Sequence, residues 1–333
     1  MAKRERKSRK RRRVLLAIIM ILFVGVVLTT STYAWFTANT TVTVSSIDVN
    51  VSTSSGLQIS ADANDWKAIL TNNDLLNANW TGIRNQIPNG VDEVTVPVST
   101  VGDVDADGYM QMYRGTVETD NTTGRNILTA VKSLETQGTS GDFIAFDVFF
   151  LSSERQMIYL TSESSVVYSG SADKGIQNAA RVGFIKEGSV AYGSTPAQAY
   201  AIKGNVSKMI WEPNYDVHKA SGVANASSVY GITTSTTGGS KLSYNGVRAP
   251  ISITDNVPLN STSSTWFGPV TTVGSVASGI PTTAYLQMFE VEEGITKVRI
   301  YMWIEGQDVD CEDHASGSSL TFNLQFSIND KAG

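Results

Sequence analysis

This chain of 333 residues has almost no cysteine, since Cys311 is the single one. One cysteine cannot form an intrachain disulfide, which excludes a small secreted module stapled by disulfides. The two histidines, His218 and His314, are too few for a histidine-rich metal site. The GxSxG, GxGxxG and HExxH patterns of common enzyme families are also missing. These absences favour a protein that is not an enzyme.

Basic residues are scarce outside the first thirteen positions. Residues 1–13 hold nine of the 26 Lys/Arg and one of the 31 Asp/Glu. Residues 14–333 hold the other 17 Lys/Arg and 30 Asp/Glu, which gives them a formal net charge of −13. Nucleic-acid binding requires a basic surface. We therefore expect no nucleic-acid partner.

A long hydrophobic run follows the basic block. Residues 14–28 carry no charged or hydrogen-bonding side chain, and residues 29–36 are small or aromatic. This order of basic, apolar and small-residue regions is typical of a secretory signal. Extended to residue 36, the run is also long enough to span a bilayer if it is retained.

The run therefore has two interpretations. We predict cleavage between Ala34 and Trp35, and a retained membrane anchor is the open alternative. Residues 14–36 would contact the membrane at least before processing. Because the basic block keeps the N-terminus in the cytoplasm, the protein is expected to be exported to the cell surface or beyond. The predicted domains are a leader, residues 1–36, and an ectodomain, residues 37–330.

The ectodomain has the composition of a β protein, with short apolar runs between turn residues. Along Thr41 to Val51 the apolar alternation changes phase at Ser45-Ser46, which predicts a strand with a bulge. The apolar residues of this strand are Val42, Val44, Ile47, Val49 and Val51.

Three later segments also predict strands. Residues 143–151 are apolar at both odd and even positions except at Asp147, which indicates a central strand covered on both faces. Residues 298–304 and 320–328 alternate between apolar and polar side chains, so each is expected to bury one face. No helical pattern connects the strands as in a parallel α/β sheet. We predict an all-β fold, an antiparallel β-sandwich of jelly-roll type, after the N-terminal hydrophobic helix.

Residues 219–283 are rich in Ser, Thr and Gly and are predicted to form an insertion of long loops and weak hairpins. The insertion carries scattered aromatic residues, among them Tyr230, Tyr244, Trp266 and Phe267. An exposed platform of these rings would indicate a binding module, whereas buried rings would indicate a structural role.

Two acidic clusters are candidate calcium sites. Asp103, Asp105 and Asp107 match the first half of a DxDxDG calcium loop, but Arg114 stands where that loop needs a glutamate. A polar Asp-Gly turn is the alternative. The second cluster includes Asp308 and Asp310, and such dense carboxylates either face water or share a cation. No other cofactor is predicted.

The two ends of the chain resemble a known family. Residues 32–36, TYAWF, followed by a Thr/Ser-rich strand, are similar to the leader exit of the TasA/camelysin group of exported bacterial proteins. The last strand, LTFNLQFSI, resembles the closing strand of that family's jelly roll. The resemblance implies a non-enzymatic matrix or fibre subunit whose N-terminal segment, here residues 37–51, is donated to the next subunit.

We therefore predict an exported surface or matrix structural protein that forms fibres or biofilm by strand donation. A membrane-anchored, adhesin-like binding module is the first alternative. A secreted hydrolase with paired carboxylates is the second alternative. The competing structural expectation is that residues 37–51 fold into their own domain.

Overall fold

The computed structural model describes residues 42–52, 56–78, 85–87, 94–135, 138, 141–169, 175–224, 245–259, 261, 263–270, 279–311 and 317–332. They all belong to one compact unit, Ala34–Gly333. The predicted leader, with its cleavage pair Ala34 and Trp35, lies outside the described residues. Every helix within the described ranges is too short or too polar to cross a membrane.

The described chain is mostly β, in several sheets, which confirms the predicted all-β class. The first sheet orders its strands as β15 (Leu286–Val291), β8 (Gln156–Leu160), β17 (Ser318–Ser327), β1 (Val42–Val51) and β3 (Ile69–Leu70). In the same sheet β4 (Val94–Thr95) pairs with β1, and β9 (Ser165–Ser169) pairs with β17. The second sheet has the order β11 (Ser207–Trp211), β10 (Ala180–Val190), β16 (Gly294–Ile304), β7 (Ile144–Ser152) and β2 (Gln58–Ser60).

The remaining elements are short or lie in smaller sheets. One small sheet pairs β12 (Asn245–Val247) with β14 (Phe267–Pro269). Another has the order β13 (Val257–Pro258), β6 (Asn126–Ser133) and β5 (Met112–Thr119). The helices of the described residues include α1 (Asn72–Leu76), α2 (Pro196–Tyr200) and two 3₁₀ turns, Ile176–Ala179 and Ile253–Asp255. Residues 220–224 are also helical.

Strand β1 lies inside the first sheet of its own chain. It runs parallel to β17 along its whole length, and antiparallel to β3 and β4 over two residue pairs each. The register with β17 shifts between Val44 and Ser46, so the predicted bulge is confirmed. The parallel pairing of β1 with β17 departs from the expected antiparallel sheet, because the N- and C-terminal strands enter it in the same direction. The side chains of Val42, Ile47, Val49 and Val51 are buried, and that of Val44 is partly buried against the core.

The main core lies between the two sheets. From β17 it takes Leu320, Phe322, Leu324 and Phe326, which confirms the predicted alternation of that strand. The ring of Phe326 lies 5.2 Å from that of Phe150 and 6.1 Å from that of Phe184, both in the second sheet. Each such side chain contributes about 1.5–3 kcal/mol by burial.

The expectation that β16 buries only one face is wrong, since every residue of β16 is buried. Its apolar face belongs to the main core. Its other face is covered by a further layer, in which Val98, Met110 and Met112 pack against Tyr301 and Trp303. A polar residue that alternates with apolar ones can therefore be buried when a further layer supplies its partners. Strand β7 is flanked by β16 and β2 and buried on both faces, as predicted.

The described part of residues 219–283 forms small paired strands. It contributes β12, β13 and β14, and β13 pairs with β6 outside the insertion. Phe267 is buried in a cluster with Tyr113 and Leu128, and Trp266 packs against that cluster. Tyr230 and Tyr244 lie outside the described residues.

Candidate functional site

The buried outer face of the second sheet holds two clusters of charged side chains. We call the first the lysine cluster; its members are Lys297, Asp147, Glu187, Arg299 and Glu135. We call the second the arginine cluster; its members are Arg181, Glu212, Asp308, Asp310 and His218. Buried charges are costly unless they are paired, so each cluster must be satisfied by its own partners.

The lysine cluster is built by cross-strand register. Asp147 on β7 stands directly opposite Arg299 on β16, and Lys297 is the diagonal neighbour two positions along β16. On the other side, the register of β10 shifts between Lys186 and Gly188, which leaves Glu187 as an extra residue. Bulges of this kind redirect a side chain, and here the carboxylate of Glu187 reaches Lys297.

The distances within the lysine cluster are short. The Nζ of Lys297 lies 2.6 Å from Glu187 Oε2 and 3.3 Å from Asp147 Oδ2. Arg299 Nη1 lies 2.5 Å from Asp147 Oδ1, and Arg299 Nη2 pairs with Glu135. The side chains of Lys297, Asp147, Glu187 and Arg299 are at most 1% exposed. Five charged groups thus form an alternating chain from which water is excluded.

The arginine cluster lies where β16 ends. Arg181 Nε is 2.8 Å from Glu212 Oε1, and Arg181 Nη2 is 2.6 Å from Asp308 Oδ2. The Nδ1 of His218 is 2.8 Å from Asp310 Oδ2. Asp308 and Asp310, predicted as neighbours in one acidic cluster, are therefore brought together with a histidine and an arginine.

The pKa of His218 reflects this setting. Burial disfavours the charged imidazole and lowers its pKa. The hydrogen bond to Asp310 and the charges of Asp308 and Asp310 outweigh burial, so the pKa of His218 is raised. Burial also raises the pKa of Asp310.

His218, Asp308 and Asp310 are the group of metal-capable side chains that the described residues bring within 4.8 Å of one another. The carboxylate oxygens of Asp308 and Asp310 already accept hydrogen bonds from protein groups. Asp310 Oδ1 accepts the backbone N–H of Lys219 at 2.9 Å, and Asp308 Oδ1 accepts the backbone N–H of Asp310 at 2.9 Å. The remaining oxygens accept from Arg181 and His218. A cation would have to displace these donors, so this donor set fits an ion-pair network better than a calcium site.

The other candidate calcium ligands form a turn. Asp105 Oδ1 accepts the backbone N–H groups of Asp107 at 3.1 Å and Tyr109 at 3.0 Å. Gly108 has φ = 87°, a left-handed conformation that favours glycine. Asp105 also lies 3.6 Å from Lys132 Nζ. Asp103 lies 3.6 Å from Lys208 Nζ. This geometry matches the Asp-Gly turn that was the alternative to a calcium loop.

A melting experiment decides whether either group of aspartates binds calcium. Because protein donors already hold the carboxylates of Asp105, Asp308 and Asp310, we expect calcium to leave the unfolding midpoint of the full chain unchanged relative to a chelator. Bound calcium would instead stabilise the folded state and raise the midpoint with concentration. A rise that Asp310→Asn abolishes and Asp105→Asn keeps would assign calcium to the arginine cluster.

Sequence reasoning missed most of both clusters. No sequence motif surrounds His218, yet its side chain is 2% exposed and ion-paired. Arg299 stands on the face of its strand that was expected to be exposed, and Lys297 lies just before the predicted strand, residues 298–304. The available signal was Asp147, a charge within an apolar run, which predicts a buried partner without identifying it.

Comparison with known proteins adds no relative. The chain matches no family model, no curated protein and no solved structure. The resemblance to the TasA/camelysin group therefore stays a prediction based on the two ends of the chain.

Proposed function

We propose that this protein is an exported, non-enzymatic structural protein of the cell surface or extracellular matrix, with a jelly-roll-type domain that assembles by exchange of strand β1. The observation that carries the proposal is the position of β1. It begins shortly after the predicted leader and pairs along its whole length with the C-terminal strand β17. The segment that would leave the membrane first is thus an interior strand of the sheet.

Exchange would use the contacts that β1 already makes. A strand supplied by a neighbouring copy can reproduce the backbone ladder and fill the same side-chain positions. Apart from the ladder with β17, β1 pairs among the described residues with two residues of β3 and two of β4. Polar contacts fix the register of the long ladder, among them Ser45 Oγ to the carbonyl of Leu320 at 2.9 Å and Asn50 Nδ2 to Asn323 Oδ1 at 3.1 Å.

Two observations support a structural role over the alternatives. The binding-module alternative needs exposed aromatic rings, but Phe267 is 3% exposed and Trp266 packs against the same cluster. The hydrolase alternative needs two acids facing one cleft, one of them with a raised pKa. Asp65 and Asp74 line a surface pocket, but both carboxylates pair with Lys67 there. Lys67 Nζ lies 3.0 Å from Asp65 Oδ2 and 2.6 Å from Asp74 Oδ1.

The pKa values of the carboxyl groups also argue against the hydrolase alternative. Burial raises the pKa of Asp74, but the bonds from Lys67 and Thr71 outweigh it, so that pKa is lowered. Among the described residues, the carboxyls whose pKa values are raised are Glu187, Glu305 and Asp310, and all three are buried.

A disulfide lock on β1 tests the proposal. Ser46 and Thr321 are partners in the β1–β17 ladder, and their hydroxyl oxygens lie 3.4 Å apart. The double variant Ser46→Cys, Thr321→Cys would close β1 onto the β17 of its own chain when oxidised. We expect the oxidised variant to stay monomeric where the wild type assembles, and reduction to restore assembly. Light scattering and electron microscopy of protein from culture supernatant and from membranes measure this.

The controls separate exchange from export. Each single cysteine variant should assemble like the wild type. An oxidised double variant that still assembles would refute strand exchange. Wild-type protein found only in the cytoplasm would refute export. N-terminal sequencing of the exported form separates cleavage at Ala34 from a retained anchor.

A further inference from the structure

Lys297, Asp147 and Glu187 bring one amine and two carboxyls together in a buried site. An amine, a carboxyl and a second carboxyl converge from three adjacent strands, and each side chain is at most 1% exposed. Lys297 Nζ lies 6.0 Å from the centre of the Tyr200 ring, and it donates to the backbone carbonyls of Ile202 at 3.1 Å and Tyr200 at 3.5 Å. This is a dry site with a nucleophile, an electrophile and a proton carrier.

We propose that Lys297 and Asp147 condense to an intramolecular isopeptide bond, with Glu187 carrying the protons. The bond formed joins Lys297 Nζ to the side-chain carboxyl carbon of Asp147, and the bond broken is between that carbon and Oδ2. An ammonium and a carboxylate give an amide and one water molecule, so no oxidant or other reactant is needed. This inference is independent of the proposed function.

The geometry assigns each step. Glu187 Oε2, 2.6 Å from Lys297 Nζ, accepts the first proton and leaves a neutral amine as nucleophile. That amine lies 3.3 Å from Asp147 Oδ2, the oxygen that leaves, so the carboxyl carbon bonded to this oxygen is the electrophile within reach. Arg299 at Asp147 Oδ1 stabilises the negative charge that develops on this oxygen during attack. Glu187 then returns the proton to the departing Oδ2, which leaves as water with a second proton from the nitrogen.

Two features favour the amide over the ion pair. Burial, followed by the charge of Asp147, raises the pKa of Glu187, so this carboxyl holds the transferred proton readily. Buried charges are costly, and the reaction removes two of them. Arg299 keeps Glu135 as its counter-ion afterwards. Because the site excludes solvent, water does not return easily to hydrolyse the amide.

Mass spectrometry of the purified full chain tests the bond directly. We expect the denatured protein to be lighter than its sequence by one water molecule. Trypsin should not cut after a modified Lys297, so residues 133–155 should remain joined to residues 249–299 in one branched peptide. Separate, unlinked peptides from fully folded protein would overturn the proposal.

Matched variants test the role of Glu187. Glu187→Gln keeps the shape of the side chain but cannot carry the proton, so its folded protein should show the full mass and unlinked peptides. Glu212→Gln makes the same change at a buried acid of the arginine cluster, and the branched peptide should persist there. Should Glu187→Gln still form the bond as completely as the wild type, Glu187 is not the proton carrier. Near-ultraviolet circular dichroism confirms that both variants are folded before digestion.

Discussion

Deletion of residues 37–51 is expected to unfold the domain. The deletion removes β1, whose Val42, Ile47, Val49 and Val51 are at most 4% exposed in the main core. Each contributes about 1.5–3 kcal/mol by burial, against a total stability of about 5–15 kcal/mol for a typical domain. The deletion also opens the edge of β17 to solvent along its whole length. Near-ultraviolet circular dichroism and urea titration measure the loss.

A pair of point variants makes the same test without a deletion. Val49→Asp places a charge in the core, where Val49 is 0% exposed, and should abolish cooperative unfolding. Val167→Asp makes the identical change on β9 of the same sheet, where Val167 is 48% exposed, and should alter stability by less than about 0.5 kcal/mol. A peptide of residues 37–51 should refold the deleted chain if the strand can be supplied in trans. A deleted chain that remains a stable folded monomer would contradict this role of β1.

The strands of the main core were predictable because their pattern is local. Along β17 every second residue is apolar and buried, and the bulge of β1 is visible as a change of phase at Ser45-Ser46. A period of two residues fixes which face is buried, whatever the rest of the chain does. Only the parallel pairing of β1 with β17 needed information from both ends of the chain.

The charged clusters were not predictable because their partners are distant in sequence. Arg299 and Asp147 are 152 positions apart, and His218 and Asp310 are 92 apart. A polar residue that alternates with apolar ones along a strand is normally predicted to be exposed. Strand β16 shows this alternation, but both of its faces are buried. The further layer that covers it comes from segments with little periodicity of their own. The sequence therefore predicts the first two layers and not the layer that creates the candidate site.

Glu305 should make the protein less stable as the pH rises from 5 to 8. Its side chain is fully buried at the end of β16, where its oxygens accept from Trp303 Nε1 at 3.2 Å and from the backbone N–H of Gln307 at 3.0 Å. Burial raises its pKa from 4.5 to about 7, although Ser99 and the charge of Arg181 oppose the shift.

The sign of the effect follows from proton linkage. Between pH 4.5 and about 7 the folded state keeps a proton on Glu305 that the unfolded state has released. Its contribution is therefore complete below the unfolded pKa and is lost as the pH rises through the folded pKa. Each pKa unit corresponds to about 1.4 kcal/mol, so the loss is about 3 kcal/mol by pH 8. The pKa of His218 is also raised, so His218 adds a further loss of stability as the pH rises above 6.5, its pKa in the unfolded chain.

Urea titrations at pH 5, 6, 7 and 8 measure this dependence. The window stays above the range in which the lowered pKa values of Asp62, Asp74 and Glu290 act in the opposite direction. Glu305→Gln replaces the carboxyl by a neutral group and should reduce the slope between pH 5 and 7. Glu187 and Asp310, whose pKa values burial also raises, should keep the remaining slope. Glu163→Gln, at an exposed position, should keep the wild-type slope. Equal stability of the wild type at pH 5 and pH 8 would show that the buried carboxyl of Glu305 does not bind a proton on folding, and that Arg181 holds it ionised instead.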